Sequence, residues 1–388
     1  MKSYLTASEA AAELGIGIAS LYAYVSRGMI RSEPQPGART KLYFADDVRA
    51  LRGARAGRQE PTGAQADPIA IETTMTLIAD GRLYYRGIDV EELARDGRLE
   101  AIATLLWETS DLDPFKASGE FMPVLHAALT QPVIVRLLID LTAASERDLA
   151  GFARSPDAVA RCGARILSQA VATITQAQEG RGFLHERLAS SWARPQAANL
   201  IRIALVILAD HELAASTFAV RVAASTGASP WRAIAAGLAC LDGPRHGGAG
   251  ERVAAFLATI NDPLQAETAI ARRLRAGEDV PGFGHQLYRD IDPRCRALLQ
   301  AAAMLAPTSA PVELARRLTV AAEKLIGRQP NLDFGLVIAC QAADLPEDAP
   351  LALFALGRIV GWIGHIIEQV RSPALLRPRA RYVGQSPT

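Results

Sequence analysis

The sequence predicts an all-α body preceded by a small basic module, and three observations carry that prediction. Apolar residues make up 49% of the 388-residue chain and are mostly Ala and Leu, while aromatic residues make up only 6%. This is the composition of packed helices rather than strands. Long segments repeat apolar residues at helical spacing between Gly/Pro clusters. From Gly53 to Pro68 that periodicity disappears and Gly, Pro and polar residues take over, as in a flexible linker. The expected layout is a module over 1–55, a linker over 56–68 and a body over 69–388.

Residues 1–58 carry nine Lys/Arg against five acids, a net of +4, although the whole chain is at +1. Thr6 with Glu9 three residues later has the form of a capping box that starts a helix. Gly15 marks a turn, Leu21 and Val25 mark a second helix over 18–27, and Gly28 stands where a C-terminal cap is expected. Met29-Ile30 and Leu42-Tyr43-Phe44 flank Pro36-Gly37, which suggests a two-stranded wing. Asp46 then stands as the cap of a third helix. A helix, a glycine turn and a second helix form a groove-sized motif. The run from Thr6 to Gly15, with Leu21-Tyr22-Ala23-Tyr24 and Arg27-Gly28-Met29-Ile30, resembles the winged helix-turn-helix of MerR-type regulators. That resemblance implies DNA as a partner, faced by Arg27, Arg39 and Lys41. A basic face serving protein contacts is the other reading.

In the body, helical spacing runs over Val90–Trp107, Val133–Ala144, Ala158–Ala177, Ala197–Ala209, Ser216–Ala224 and Pro230–Leu241. The exception is Thr74–Tyr85, which reads as a hairpin around Asp80-Gly81. The four cysteines lie far apart without a C-x-x-C pair, which disfavours a disulfide framework or a zinc site. The N-terminus lacks the apolar run of a signal peptide, and the most apolar stretch, Ile203–Ala209, is too short to span a bilayer. A cytoplasmic protein without membrane contact is expected.

Three glycine-flanked segments then stand out: Gly243-Pro-Arg-His246-Gly-Gly-Ala249, Pro281-Gly-Phe-Gly-His285 and Pro330-Asn-Leu-Asp333-Phe334. Each fixes one ionisable group in turn chemistry. Two imidazoles and one carboxylate suit the removal of a weakly acidic C–H proton while donors stabilise the oxygens that gain charge.

These segments, in this order, resemble the citrate synthase family. So do Tyr84-Tyr-Arg-Gly87, Ala209-Asp-His-Glu-Leu213 with Ala215-Ser-Thr-Phe218, Gly357-Arg-Ile-Val-Gly-Trp362 and Arg377-Pro-Arg379. The resemblance implies an all-helical homodimer with a large domain and a small one, the latter roughly 225–335. It implies that Asp333 deprotonates acetyl-CoA or propionyl-CoA, that His246 holds the thioester oxygen and that His285 polarises the ketone of oxaloacetate. It also implies that His211, Arg294 and Arg358 bind oxaloacetate, with Arg377 supplied by the partner subunit. Neither a metal nor a cofactor beyond the acyl-CoA is implied. Ala214, Asp242, Gly250, Gln286, Leu287 and Gly335-Leu336 depart from the family's usual residues, mostly beside the acyl-CoA segments. Two functions follow as expectations: a condensing enzyme of the tricarboxylic acid cycle type, or a regulator whose body senses oxaloacetate, citrate or a CoA thioester.

Overall fold

The computed structural model describes residues 4–14, 21, 24–25, 30–34, 40–49, 71–109, 114–115, 128, 130–177, 182–372, 374–380 and 382–385. The chain divides into two compact units, Met1–Ile71 and Glu72–Thr388.

In the first unit, Thr6 and Glu9 form the reciprocal capping bonds that open helix α1 (Ala7–Leu14). Strands β1 (Tyr4–Leu5), β2 (Ser32–Pro34) and β3 (Lys41–Phe44) make an antiparallel sheet in the order β1-β3-β2. The sheet thus has three strands where two were expected, and β2 begins at Ser32, with Ile30 buried in the core. Helical residues resume at 45–49, which puts Asp46 inside the first turn rather than at its cap. Leu5, Ala10, Leu14, Leu21, Ile30, Tyr43 and Val48 form a separate apolar core. Lys41 is exposed. Arg27, Arg39 and most of the expected second helix lie outside the described residues.

The second unit opens with the expected hairpin. Strand β4 (Thr76–Ala79) pairs with β5 (Arg82–Tyr85) across Asp80 and Gly81, both at positive φ, and β6 (Ile88–Asp89) adds to β5. The Val90–Trp107 stretch breaks at Gly97 into α2 (Val90–Asp96) and α3 (Leu99–Trp107). Then follow α4 (Val133–Ser145), α5 (Pro156–Thr175), α6 (Leu184–Ser191), α7 (Ala198–Leu208), α8 (Ala215–Ser225) and α9 (Pro230–Leu241). After them come α10 (Ala249–Ala258), α11 (Ala266–Arg275), α12 (Pro293–Leu305), α13 (Ala310–Ile326), α14 (Leu332–Ala342) and α15 (Ala349–Arg371). Among the described residues α15 alone is long and apolar enough to cross a membrane, yet its apolar window is 89% buried inside the protein. It is the central packing helix.

Among the described residues, two apolar cores form in this unit. The larger surrounds α15 and includes α9; the smaller draws on residues from Val253 to Ile338, against the expected range 225–335. Helices α12 and α14 serve both. Cys295 lies in the small core and Leu298, Ala301 and Ala302 in the large one; Phe334 and Val337 face the first and Leu336 and Ala339 the second. The N-terminal turns of these two helices, which carry Arg294 and Asp333, are therefore held from both sides.

Candidate active site

The segment Pro281–His285 is bonded to the residues that lead into α14. Gly284 N–H donates to Gln329 O (2.8 Å), Asn331 N–H to Gly282 O (2.9 Å), and Asn331 Nδ2 to Gly284 O (3.1 Å). Asn331 also caps α14, since its Oδ1 accepts from Asp333 N and Phe334 N. Asp333 thus sits in the first turn of a capped helix, whereas the sequence reading placed it in a turn. Gly282 is required by this approach: its φ is +86°, and a Cβ there would lie 2.9 Å from Phe334 Cβ and 3.2 Å from Val253 Cγ2. We expect Gly282→Ala to lower stability by about 2–3 kcal/mol through backbone strain and overpacking. A urea midpoint equal to that of the wild type would count against this zip.

Asp333 is half-buried, and burial raises its carboxyl to about 6, with Arg294 opposing the rise and Asp292 adding to it. A helix N-terminus favours an anion by about 0.3–1 kcal/mol. Burial outweighs it here, so the carboxylate is a stronger base than an ordinary Asp. His285 Nδ1 accepts from Leu287 N–H at 3.0 Å, which leaves the ring's proton on Nε2 when it is neutral. Burial and then Arg294 lower its pKa, so the neutral form is favoured.

His246 is fixed by the turn that ends α9. Its N–H donates to Gly243 O (2.8 Å), Gly247 N–H to Leu241 O (2.9 Å), and Ala249 N–H to His246 O (3.0 Å). Its Nε2 lies 2.6 Å from Ser216 Oγ, and its ring meets Phe354 edge-on at 5.8 Å. Burial, then the Arg358 charge, brings its pKa down to about 4, so the imidazole is neutral at pH 7.

Arg358, fully buried on α15, donates Nε–H to Leu208 O at 3.1 Å, while Nη1 is buried without a hydrogen-bond partner among the described residues. Arg294 is buried too, but its Nε and Nη2 fork onto Asp292 at 3.0 and 2.7 Å. The two-bond grip assigned to a substrate carboxylate is thus closed on a neighbouring side chain. Burial raises the Asp292 carboxyl, but Arg294 more than offsets this and holds it below the usual range.

His211 follows a rigid floor. Tyr85 OH bonds to Asp210 at the backbone, Thr76 Oγ1 donates to Asp210 Oδ2, and His365 Nε2 lies 3.3 Å from Asp210 Oδ1. Gly361 N–H donates to Ala209 O (3.0 Å), an approach that a Cβ would block. Beyond this floor, the His211 and His285 rings stand edge-to-face at 5.6 Å, with Tyr288 against both.

The groups converge as follows. The Arg294 charge acts on His211, His285 and Asp333, and the Arg358 charge acts on His211 and His246. Arg377 is not brought into this cluster: it is exposed in segment 374–380, which has no regular secondary structure and which Leu376 N–H ties to Ser225 Oγ. Sequence reasoning gave no role to Tyr288, Asp292, Ser216 or Phe354. Ser216, inside the Ala215–Phe218 motif, and Asp292, two residues before Arg294, carried some signal.

The family profile "Citrate synthase, C-terminal domain" matches residues 66–379. Citrate synthase 2 of Bacillus subtilis is 30% identical over 360 residues, covering 81% of this chain and 94% of that protein. 2-Methylcitrate synthase 1 of Corynebacterium glutamicum is 29% identical over 341 residues, covering 78% and 89%. The citrate synthase of Thermotoga maritima superposes with a TM-score of 0.69 at 27% identity, covering 84% of this chain and 96% of that one. That of Thermoplasma acidophilum, solved as a ternary complex with carboxymethyl coenzyme A and oxaloacetate, gives 0.72 at 26%, covering 83% and 96%. These matches define a condensing enzyme of the acyltransferase type. The chain belongs to the citrate synthase family.

Proposed function

We propose that the protein joins acetyl-CoA or propionyl-CoA to oxaloacetate and hydrolyses the resulting thioester, giving citrate or 2-methylcitrate. Asp333 takes the proton from the carbon next to the thioester carbonyl, and His246 donates a hydrogen bond to the carbonyl oxygen as the enolate forms. The enolate carbon attacks the ketone carbon of oxaloacetate, and His285 Nε2–H gives its proton to the new alkoxide. Water then cleaves the thioester and the CoA thiol leaves. Arg358 Nη1, Arg294 Nη1 and His211 hold the acceptor's carboxylates. Arg377 completes the site from the partner subunit of a homodimer. The scheme calls for no metal and no cofactor beyond the acyl-CoA, and it suits a cytoplasmic enzyme.

The observation that carries this reading is the bonded pair of segments that holds His285 beside the helix of Asp333, with Arg294 charged against both. Thiol release from each acyl-CoA, with and without oxaloacetate, tests it. Release that requires oxaloacetate is expected; none with either thioester would overturn the assignment.

Residues 1–55 are proposed as a winged helix-turn-helix module that binds DNA through Arg27, Arg39 and Lys41. The capped helix α1, the three-stranded sheet and the separate apolar core support this part of the proposal. Retention on duplex DNA should weaken steeply with salt and vanish on deleting residues 1–58. Retention that survives the deletion would place DNA binding elsewhere.

A further inference from the structure

Tyr288 is 3% exposed, and its hydroxyl lies 3.1 Å from His211 Nε2. That is its hydrogen bond among the described residues. Its ring also packs against His285 with centroids 4.8 Å apart and lies 5.7 Å from the Arg294 guanidinium carbon. One side chain therefore touches three of the groups assigned to the acceptor. Burial raises the phenol's pKa, so it keeps its proton, and burial with Arg294 and Arg358 drives His211 well down, so the imidazole is neutral.

A neutral imidazole carries one proton, and its two nitrogens are then one donor and one acceptor. If Nε2 carried the proton, the buried phenol O–H would lose its partner and the ring would offer only a lone pair at Nδ1. If Nε2 accepts from the phenol, the O–H is satisfied and Nδ1–H remains as a donor. Only the second arrangement gives a dianionic acceptor a donor on this ring.

We propose that Tyr288 is a positioning residue for the acceptor: its hydroxyl donates to His211 Nε2 and holds the imidazole as the Nδ1–H tautomer. The proposal rests on the acceptor role of His211 given above. It makes Tyr288 the residue that sets the hydrogen-bonding polarity of that side of the site while keeping the His211 and His285 rings in fixed contact.

The test is Tyr288→Phe, which keeps the ring packing and removes the O–H. With six histidines in the chain, two-bond ¹H–¹⁵N correlation spectra of the ¹⁵N-histidine-labelled protein are assignable to His211 by difference from His211→Gln. The wild type should show His211 as Nδ1–H and the variant a shift toward Nε2–H. The KM for oxaloacetate should rise about tenfold, the equivalent of one lost hydrogen bond, with the KM for acyl-CoA within about twofold. An Nε2–H signature in the wild type, or the same tautomer in both proteins, would overturn the proposal. A tautomer change with an unmoved oxaloacetate KM would remove His211 from the acceptor site while leaving its bond to Tyr288 standing.

Discussion

An Asp333→Asn variant is expected to condense acyl-CoA with oxaloacetate about 10²–10⁴-fold more slowly than wild type, the usual contribution of a positioned base. It should also be the more stable protein at pH 8. Asn keeps the shape of the side chain, and the cap from Asn331 goes to backbone N–H groups that the substitution leaves in place. What disappears is a carboxylate whose pKa burial has raised from 3.8 to about 6. Because the folded pKa lies above the unfolded one, the folded protein binds the extra proton between those values. Stability attributable to this group is fully present below pH 3.8 and is lost as pH rises through about 6. At pH 8 the ionised, half-buried group costs on the order of 1–3 kcal/mol, which Asn removes. Urea midpoints at pH 8 and pH 5 check this: the variant's advantage should shrink at the lower pH. The same titration predicts that wild-type kcat/KM falls with unit slope as pH drops below about 6. A variant that loses stability at pH 8, or a wild-type rate flat down to pH 5, would remove Asp333 as the perturbed base.

The second large effect is expected at Arg358. Arg358→Gln should raise the KM for oxaloacetate by roughly 10²–10³-fold, the range for losing one partner of a desolvated charge pair. The KM for acyl-CoA should stay within a few-fold. Arg358 is buried with Nη1 unpartnered, and burial lowers its pKa, opposed by Asp210 and Tyr85. A buried cation in that condition contributes little to folding and much to an anion that meets it. Unfolding by urea should therefore change little. A large loss of stability with an unchanged oxaloacetate KM would mean that Arg358 serves to hold α15 to Leu208 O rather than to bind the acceptor.

Helical spacing located α2–α5 and α7–α9 because burial of one face fixes that period; α6 and the helices after Leu241 were not assigned from it. Asp80-Gly81 located the hairpin because Asp-Gly readily takes the positive φ that a type I′ turn needs at both positions, as both residues do here. His246, His285 and Asp333 were visible as ionisable groups in glycine-rich surroundings. Their neighbours were not. Tyr288 is an ordinary aromatic residue by sequence, and nothing local says that its hydroxyl meets a histidine 77 positions away. Asp292 had no assigned role, yet in the structure it both caps α12 and closes the Arg294 fork.

What the chain alone determined is the set of local conformations: capped helix starts, glycine turns, and the order in which the chemical groups occur. Those depend on dihedral preferences and on side chains a few residues apart. Which groups are neutral, which carboxylate is a strengthened base and which guanidinium keeps an unpaired donor were decided by the tertiary structure. Such properties arise from removing charges from water beside groups that are distant in sequence, and only the packed cores do that.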